Sequence, residues 1–316
     1  MPNPPPLLVI AGPTATGKTE AALQVAEACP AEIISADSMQ IYRDLDIGTA
    51  KPTAAERRRA AFHLIDFIPP EQNYTVADFQ QDARAAIAEV WQRGRLPVVC
   101  GGTGLYVRAL LGGLSFPPGA LPETQAIRQR LEEQAAEPGG AEILHQRLQI
   151  VDPSTAARLP VGDVRRVIRA LEVYEATGEP FSHLARVDAE TLINYNATTF
   201  VLTCPRERLY ARIEQRVDEM MAAGWLAEVK TLRERGLGLQ HQCLQAIGYR
   251  HLWEYLQTGG DLAATVAQIK QATRRFAKRQ LTWFRREQAE WLEWDEPAQW
   301  QRVIDVLKSK ALDCLR

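Results

Sequence analysis

The chain opens on a short apolar run, Leu7–Ala11, that ends in a glycine-rich turn. An alanine-rich helical stretch follows from Lys18 to Ala28, and Pro30 stops it. Apolar residues resume over Ile33–Ala36, which reads as a second buried strand ending at Asp37, and Phe62–Asp66 predicts a third. A helix is then signalled by Thr75 as N-cap with Asp78 three residues on, a near-relative of the capping box. Val76, Phe79, Ala83, Ile87, Val90 and Trp91 recur at helical spacing behind it, and Gly94 is a natural stop. Leu96–Cys100 predicts a further strand running into Gly101-Gly102-Thr103-Gly104. This rhythm is that of a parallel, doubly wound α/β domain with ligand loops at the C-terminal strand ends.

Glycine and proline punctuate the chain from Gly112 to Ala120, and the pattern then becomes helical to Leu192, broken at Pro138-Gly139-Gly140, Pro153 and Pro160. Ile127, Leu131, Ile143, Leu144, Leu148, Val167, Ile168 and Leu171 supply its apolar stripes. Phe200–Cys204 resumes the strand pattern. Pro205 sits where a first-turn proline is tolerated, and Leu209, Ile213, Val217 and Met220 continue a helix. Leu262 to about Glu293 reads as one long basic helical region. The expected organisation is a core of residues 1–120 and 193–316 with C-terminal helices, interrupted by a helical insertion over 121–192.

A length of 316 residues suits one large domain with a sizeable insertion, and 46% hydrophobic with 24% charged residues is ordinary for a globular protein. The start lacks a basic segment followed by an apolar run, and no stretch approaches the ~18 uncharged apolar residues of a membrane span. The expectation is a cytoplasmic protein. Cys29, Cys100, Cys204, Cys243 and Cys314 lack C-x-x-C spacing, which argues against a disulfide framework and a structural zinc site. The five histidines form no i, i+4 metal pair. The net charge of −2 hides a local excess: between Asp261 and Glu287 the charged residues are Lys270, Arg274, Arg275, Lys278, Arg279, Arg285 and Arg286. Two readings stand, the solvated face of a helix or a surface that contacts phosphates.

The sharpest chemical signal is Gly12-Pro13-Thr14-Ala15-Thr16-Gly17-Lys18-Thr19, which matches G-x-x-x-x-G-K-[ST] directly between a strand and a helix. Glycines let backbone N–H groups close around phosphate oxygens, and the helix terminus adds donors and a positive dipole end. Lys18 contributes a mobile charge and Thr19 a hydroxyl suited to Mg²⁺. The fold class expected is therefore α/β: a P-loop NTPase-like parallel sheet flanked by helices, with a mostly helical insertion domain. The motif specifies a diphosphate or nucleotide and leaves the reaction open. Asp37, at a strand end, is either an acceptor-orienting base or a loop cap, and Ser38 and Gln40 share its loop. Gly101–Gly104 permits close approach to a ligand or makes a tight turn, with Thr103 its one side chain able to donate or accept. Arg208, Arg212 and Arg216 lie on one helix side, either to clamp a leaving diphosphate or as a salt-bridged face with Glu214, Asp218 and Glu219. Arg165, Arg166 and Arg169 form a second basic group.

Together these features resemble the bacterial tRNA dimethylallyltransferase family, also called tRNA isopentenyltransferases. The resemblance covers nearly the whole chain. It is carried by Gly12–Thr19, Asp37-Ser38-Met39-Gln40-Ile41-Tyr42, Asp46–Pro52, Tyr74–Phe79 and Gly101–Tyr106. Val151-Asp152-Pro153, Arg165–Tyr174, Ile247-Gly248-Tyr249-Arg250 and Thr273–Trp283 complete it. It implies transfer of a dimethylallyl group from dimethylallyl diphosphate to N6 of the adenosine immediately 3′ of the anticodon, with Gly12, Pro13, Thr14, Ala15, Thr16, Gly17, Lys18 and Thr19 around the donor diphosphate. The catalytic residues it implies are Asp37 as general base, Thr103 beside the reacting groups, and Lys18 and Arg216 on the diphosphate, with Mg²⁺ held by Thr19. The tRNA contacts it implies are Asp37, Ser38, Met39, Gln40, Thr103 and Arg128; Arg165, Arg166, Val167, Ile168 and Arg169; and Gln245, Ala246, Ile247, Gly248, Tyr249 and Arg250. The implied partners are a tRNA anticodon stem-loop and dimethylallyl diphosphate, with no membrane and a monomeric state. A small-molecule P-loop kinase fits the first motif but not the run from Asp37 to Pro52. An adenylate isopentenyltransferase, which acts on free AMP, ADP or ATP, has less need of the basic groups. A GTPase-like RNA-binding module would need an N-K-x-D pattern that does not occur.

Overall fold

A computed structural model describes residues 4–112, 122–184 and 195–315. The chain begins β1 (Pro6–Ala11), α1 (Lys18–Ala28), β2 (Ala31–Ser35), α2 (Ala54–Arg59), β3 (Phe62–His63), α3 (Val76–Gln92), β4 (Leu96–Gly101) and α4 (Gly104–Leu110). A helical segment follows, with α5 (Pro122–Ala136), α6 (Gly140–Val151), α7 (Pro153–Ala156), α8 (Val164–Thr177) and α9 (Phe181–Leu184). Then come β5 (Asn196–Thr203), α10 (Arg206–Ala222), α11 (Trp225–Glu234), a short 3₁₀ turn at Gln242–Gln245, α12 (Tyr249–Thr258), α13 (Leu262–Phe284), β6 (Glu290–Glu293) and α14 (Pro297–Cys314). The chain divides into two compact units, Met1–Leu111 with Asn194–Arg316, and Gly112–Ile193.

In the larger unit the described strands form one six-stranded sheet in the order β3-β2-β4-β1-β5-β6, every pairing parallel. The central strands are apolar on both faces because helices cover both. In β1 the side-chain alternation splits the core: Leu7 and Val9 join a cluster with Phe79, Tyr106 and Phe284, while Leu8 and Ile10 join one with α1 and α14 residues such as Leu23 and Ile304. The loop after β1 thus leaves the middle of the sheet, between the ends of β4 and β5.

The capping box at the start of α3 is present, with Asp78 N donating to Thr75 Oγ1 at 3.2 Å and Thr75 N donating to Asp78 Oδ2 at 2.8 Å. Three expectations need correction. The third strand is only Phe62–His63, because Leu64 and Asp66 adopt positive φ of 58° and 59°, which ends extended pairing. The strand expected from Phe200 begins at Asn196, carried by register with β1 from Pro6 onward. The basic helix does not run to Glu293. It stops at Phe284, where the amides of Arg286 and Glu287 close the last turn on Trp283 O and Phe284 O, and Glu290–Glu293 then pairs with β5 as an edge strand.

The smaller unit has its own core, in which Leu131, Leu144, Leu148, Val167, Ile168 and Leu171 are buried. Asp152 ties it together, accepting from Thr155 N at 3.0 Å and Ser182 N at 2.8 Å. Among the described residues no helix is long and apolar enough to cross a membrane.

Candidate active site

The loop between β1 and α1 is shaped by three positive-φ residues, Gly12 (141°), Ala15 (65°) and Gly17 (90°). A Cβ on Gly12 would collide with the carbonyl oxygen of Leu202, so only glycine lets the loop pass so close to β5. Neighbouring side chains then fix the turn. Thr16, fully buried, donates to Pro13 O at 2.9 Å. Trp294, just past β6, donates its indole N–H to Thr16 O at 3.1 Å, and Arg212 Nε donates to Ala15 O at 2.7 Å. Gln280, buried on α13, accepts from Thr14 N at 3.0 Å and donates to Gly102 O at 2.9 Å. One amide thus joins the phosphate loop to the glycine-rich turn after β4.

Thr14, Lys18, Thr19, Asp37 and Arg216 line a single pocket, with Cys100, Gly101, Gly102 and Gln280 beside them. Lys18 Nζ donates to Pro13 O at 2.6 Å. Burial lowers its pKa to about 8, against the pull of Cys100 and Asp37, and the Arg216 charge adds to the lowering. Arg216 Nη1 lies 3.4 Å from Thr14 Oγ1, and burial likewise pulls its pKa below the ordinary guanidinium value. Two desolvated cations facing one pocket make a site that an anion would relieve. The Cys100 thiol is held protonated, burial pushing its pKa to about 11.

On the far side of the pocket the chain leaves β2 through Asp37, whose Oδ1 accepts from Met39 N at 2.9 Å and Gln40 N at 3.4 Å. Thr103 Oγ1, at the start of α4, accepts from Ser38 N at 3.1 Å, and Thr103 N donates to Ala36 O at 3.2 Å. Gln40 accepts from Ser35 Oγ and donates to Thr49 O and Ala50 O, so its amide braces the loop. Met39 is half-buried against the core.

The three arginines of α10 have separate tasks. Arg216 faces the pocket, Arg212 holds the phosphate loop, and Arg208 pairs with Asp295 at 3.1 Å over the Trp294 ring. On α13, Lys270 and Arg274 are engaged by Asp218 and Glu214, whereas Arg275, Lys278 and Arg279, and Arg285 and Arg286 just past its end, are exposed. Before α12 and in its first turn, Gln245 and Arg250 are exposed, with Gln245 bonded to Leu239 O and Arg250 to Glu254. Ala246 and Ile247 are half-buried, and Gly248 and Tyr249 are buried.

Within the smaller unit, Arg165 and Arg166 are exposed, while Val167 and Ile168 are buried in its core. Arg128 and Arg169 both pair with the buried Glu172, at 2.9 and 3.1 Å.

Gln280 and Trp294 escaped the sequence reading. Gln280 left a trace: with Ala277 and Phe284 it occupies the buried register of α13, an odd place for a glutamine.

A family model described as IPP transferase matches residues 40–287, and one described as isopentenyl transferase matches residues 5–65. A tRNA dimethylallyltransferase of Pelotomaculum thermopropionicum is 49% identical over 288 residues, 91% of this chain and 90% of that protein. One of Geobacillus kaustophilus is 46% identical, over 95% of this chain and 94% of its own length. The crystal structure of a tRNA isopentenylpyrophosphate transferase from Bacillus halodurans is similar at TM-score 0.69 and 39% identity, covering 98% of this chain and 97% of that one. A eukaryotic dimethylallyltransferase acting on tRNA aligns at TM-score 0.82 and 26% identity, covering 98% and 80%. With both halves of the pocket built from the residues these matches span, the chain belongs to the IPP transferase family, that of the tRNA dimethylallyltransferases.

Proposed function

We propose that the protein transfers a dimethylallyl group from dimethylallyl diphosphate to N6 of the adenosine immediately 3′ of the anticodon in tRNA, releasing diphosphate. One juxtaposition carries the assignment: Lys18, Arg216 and the phosphate loop share a pocket with Asp37. An exocyclic adenine amine is a poor nucleophile, its lone pair being drawn into the ring. Substitution at an allylic carbon becomes feasible when the departing diphosphate is neutralised, so that positive character spreads over the allyl unit. Lys18, Arg216 and the loop amides supply that neutralisation. Asp37 takes the N6 proton as the C–N bond forms, and Thr103 borders the reacting groups. The adenine is flipped from the anticodon loop, at a cost of a few kcal/mol that is smaller in an already single-stranded loop.

Among the described residues no group of three or more His, Cys, Asp or Glu side chains is placed to hold a metal. Thr19 lines the pocket and offers one hydroxyl, a donor set that suits a Mg²⁺ ion keeping most of its waters and bound chiefly through substrate phosphates. When bound there, Mg²⁺ would add to the neutralisation of the leaving group. Arg165, Arg166 and the exposed cations of α13 are the groups proposed to meet tRNA phosphates, which position the RNA without reading its sequence.

The test incubates the protein with labelled dimethylallyl diphosphate, Mg²⁺ and either unmodified tRNA or AMP. Label on tRNA alone is expected. Label on AMP alone would make the protein an adenylate isopentenyltransferase, and label on neither would remove the assignment.

A further inference from the structure

The acceptor-side loop, residues 37–52, contains no helix and only the isolated Tyr42–Ile68 bridge. Two of its non-glycine residues, Asp44 and Ala50, sit at positive φ of 64° and 48°. A segment in such a conformation persists only when its surroundings over-determine it. From within, Lys51 Nζ supplies part of the constraint, reaching Tyr42 O at 2.6 Å, Asp46 at 2.6 Å and Asp66 at 2.9 Å.

Main-chain bonds to Asp66–Ile68 add to it, and a further part comes from α11. Glu228 Oε2 accepts from Asp46 N and Ile47 N, both at 2.8 Å, and its Oε1 accepts from Gly48 N at 3.3 Å. Successive main-chain amides of this kind form an anion-binding nest, and here the chain fills it with its own carboxylate. The buried Tyr249 hydroxyl donates to the same Oε1 at 2.5 Å. Packing repeats the constraint. A Cβ on either Gly48 or Gly248 would collide with the Trp225 ring. The loop, the first turn of α11 and the start of α12 are therefore wedged on one indole and one carboxylate.

We infer that Glu228 is a positioning residue for the acceptor base: by holding the Asp46–Gly48 main chain it sets the Thr49 and Ala50 carbonyls on which Gln40 rests, and so the turn that aims Asp37. The connection is continuous, since Gln40 Nε2 donates to Thr49 O at 3.2 Å and Ala50 O at 3.1 Å, and Gln40 N donates back to Asp37 Oδ1. None of these bonds involves the phosphate loop, so the donor half of the pocket does not depend on them. The inference rests on the prenyl-transfer reading for its kinetic consequence, though not for its structural one.

Glu228→Gln keeps the side chain's size but turns an NH₂ group toward an amide N–H. It should raise KM for tRNA about tenfold, the factor corresponding to one lost charge-assisted hydrogen bond, and leave the affinity for dimethylallyl diphosphate unchanged. Glu228→Asp, which keeps the charge and shortens the reach, should fall between. Equal losses for donor and acceptor, or none for either, would overturn the inference. Should Glu228→Gln fail to fold, Tyr249→Phe removes one bond to the carboxylate and should raise KM for tRNA more modestly; an unaltered KM there would count equally against it. Amide hydrogen exchange reads the same device without any activity. In Glu228→Gln the Met39 and Gln40 amides should exchange faster along with those of Asp46–Gly48. Faster exchange confined to Asp46–Gly48 would overturn the link to Asp37. A wild-type protein that fails to label tRNA would sink the prenyl-transfer reading and leave the exchange result standing.

Discussion

Lys18 is where burial and chemistry meet most directly. Its ammonium loses solvent in the pocket, and its pKa falls from the ordinary 10.5 to about 8. The folded pKa lies below the unfolded one, so between these values the unfolded chain binds more protons and stability rises with pH. Function runs the other way, because a neutral lysine cannot grip a diphosphate. kcat/KM for dimethylallyl diphosphate should therefore decline as pH rises through about 8, the behaviour of a free-enzyme group, and Lys18→Met should abolish that limb. A profile flat to about pH 10 would contradict the assignment. Asp37 permits a cleaner separation. Asparagine at this position keeps an oxygen for Met39 N and loses the base, so Asp37→Asn should lower kcat by ~10²–10⁴-fold with tRNA affinity nearly intact. The Gly12–Thr19 loop was legible as a strand-to-helix turn because its residues are sequence neighbours with a fixed spacing. Gln280 and Glu228 were not: their partners lie 266 and 182 positions away, and nothing local marks a carboxylate as the filling of a remote nest.

Elements were legible where one period dominated. The apolar run of β1 and the helical stripe of α3 came through, as did the Thr75–Asp78 cap. β6 did not, because it is short, exposed at the sheet edge and preceded by a helix whose charges run almost up to it. Its placement matters to the site, since it delivers Trp294 to the carbonyl of Thr16. Trp294→Phe keeps most of the ring and deletes that bond. The expected cost is about 1 kcal/mol of stability with a several-fold weaker donor, measured by denaturant unfolding and calorimetric titration. Donor affinity equal to that of the wild type would mean that the phosphate loop needs no support from the C-terminal segment.

At the scale of the whole molecule, a formal charge of −2 conceals the surfaces proposed to meet RNA. The basic run near the C-terminus was visible in the sequence, but its division was not. Lys270 and Arg274 are spent on Asp218 and Glu214, because α10 presents those carboxylates alongside α13. The same holds in the smaller unit, where the buried Glu172 engages Arg128 and Arg169, while Arg165 and Arg166 stay exposed, Arg166 lying 3.4 Å from Asp163. Binding of tRNA should weaken steeply with salt. Removing Arg165 and Arg166 together should reduce the slope of log K against log salt by ~1–2, at about 0.7–0.9 per phosphate contact, and leave dimethylallyl diphosphate binding unaltered. An unchanged slope would take these two arginines off the RNA.

The most direct test of the site is a crystal structure of the protein with an unreactive analogue of dimethylallyl diphosphate and an anticodon stem-loop. The diphosphate should lie within reach of Lys18, Arg216 and the amides of the phosphate loop, with an Asp37 oxygen ~2.6–3.2 Å from the adenine N6. A diphosphate bound elsewhere, or an adenine whose N6 faces away from Asp37, would contradict the proposed transfer.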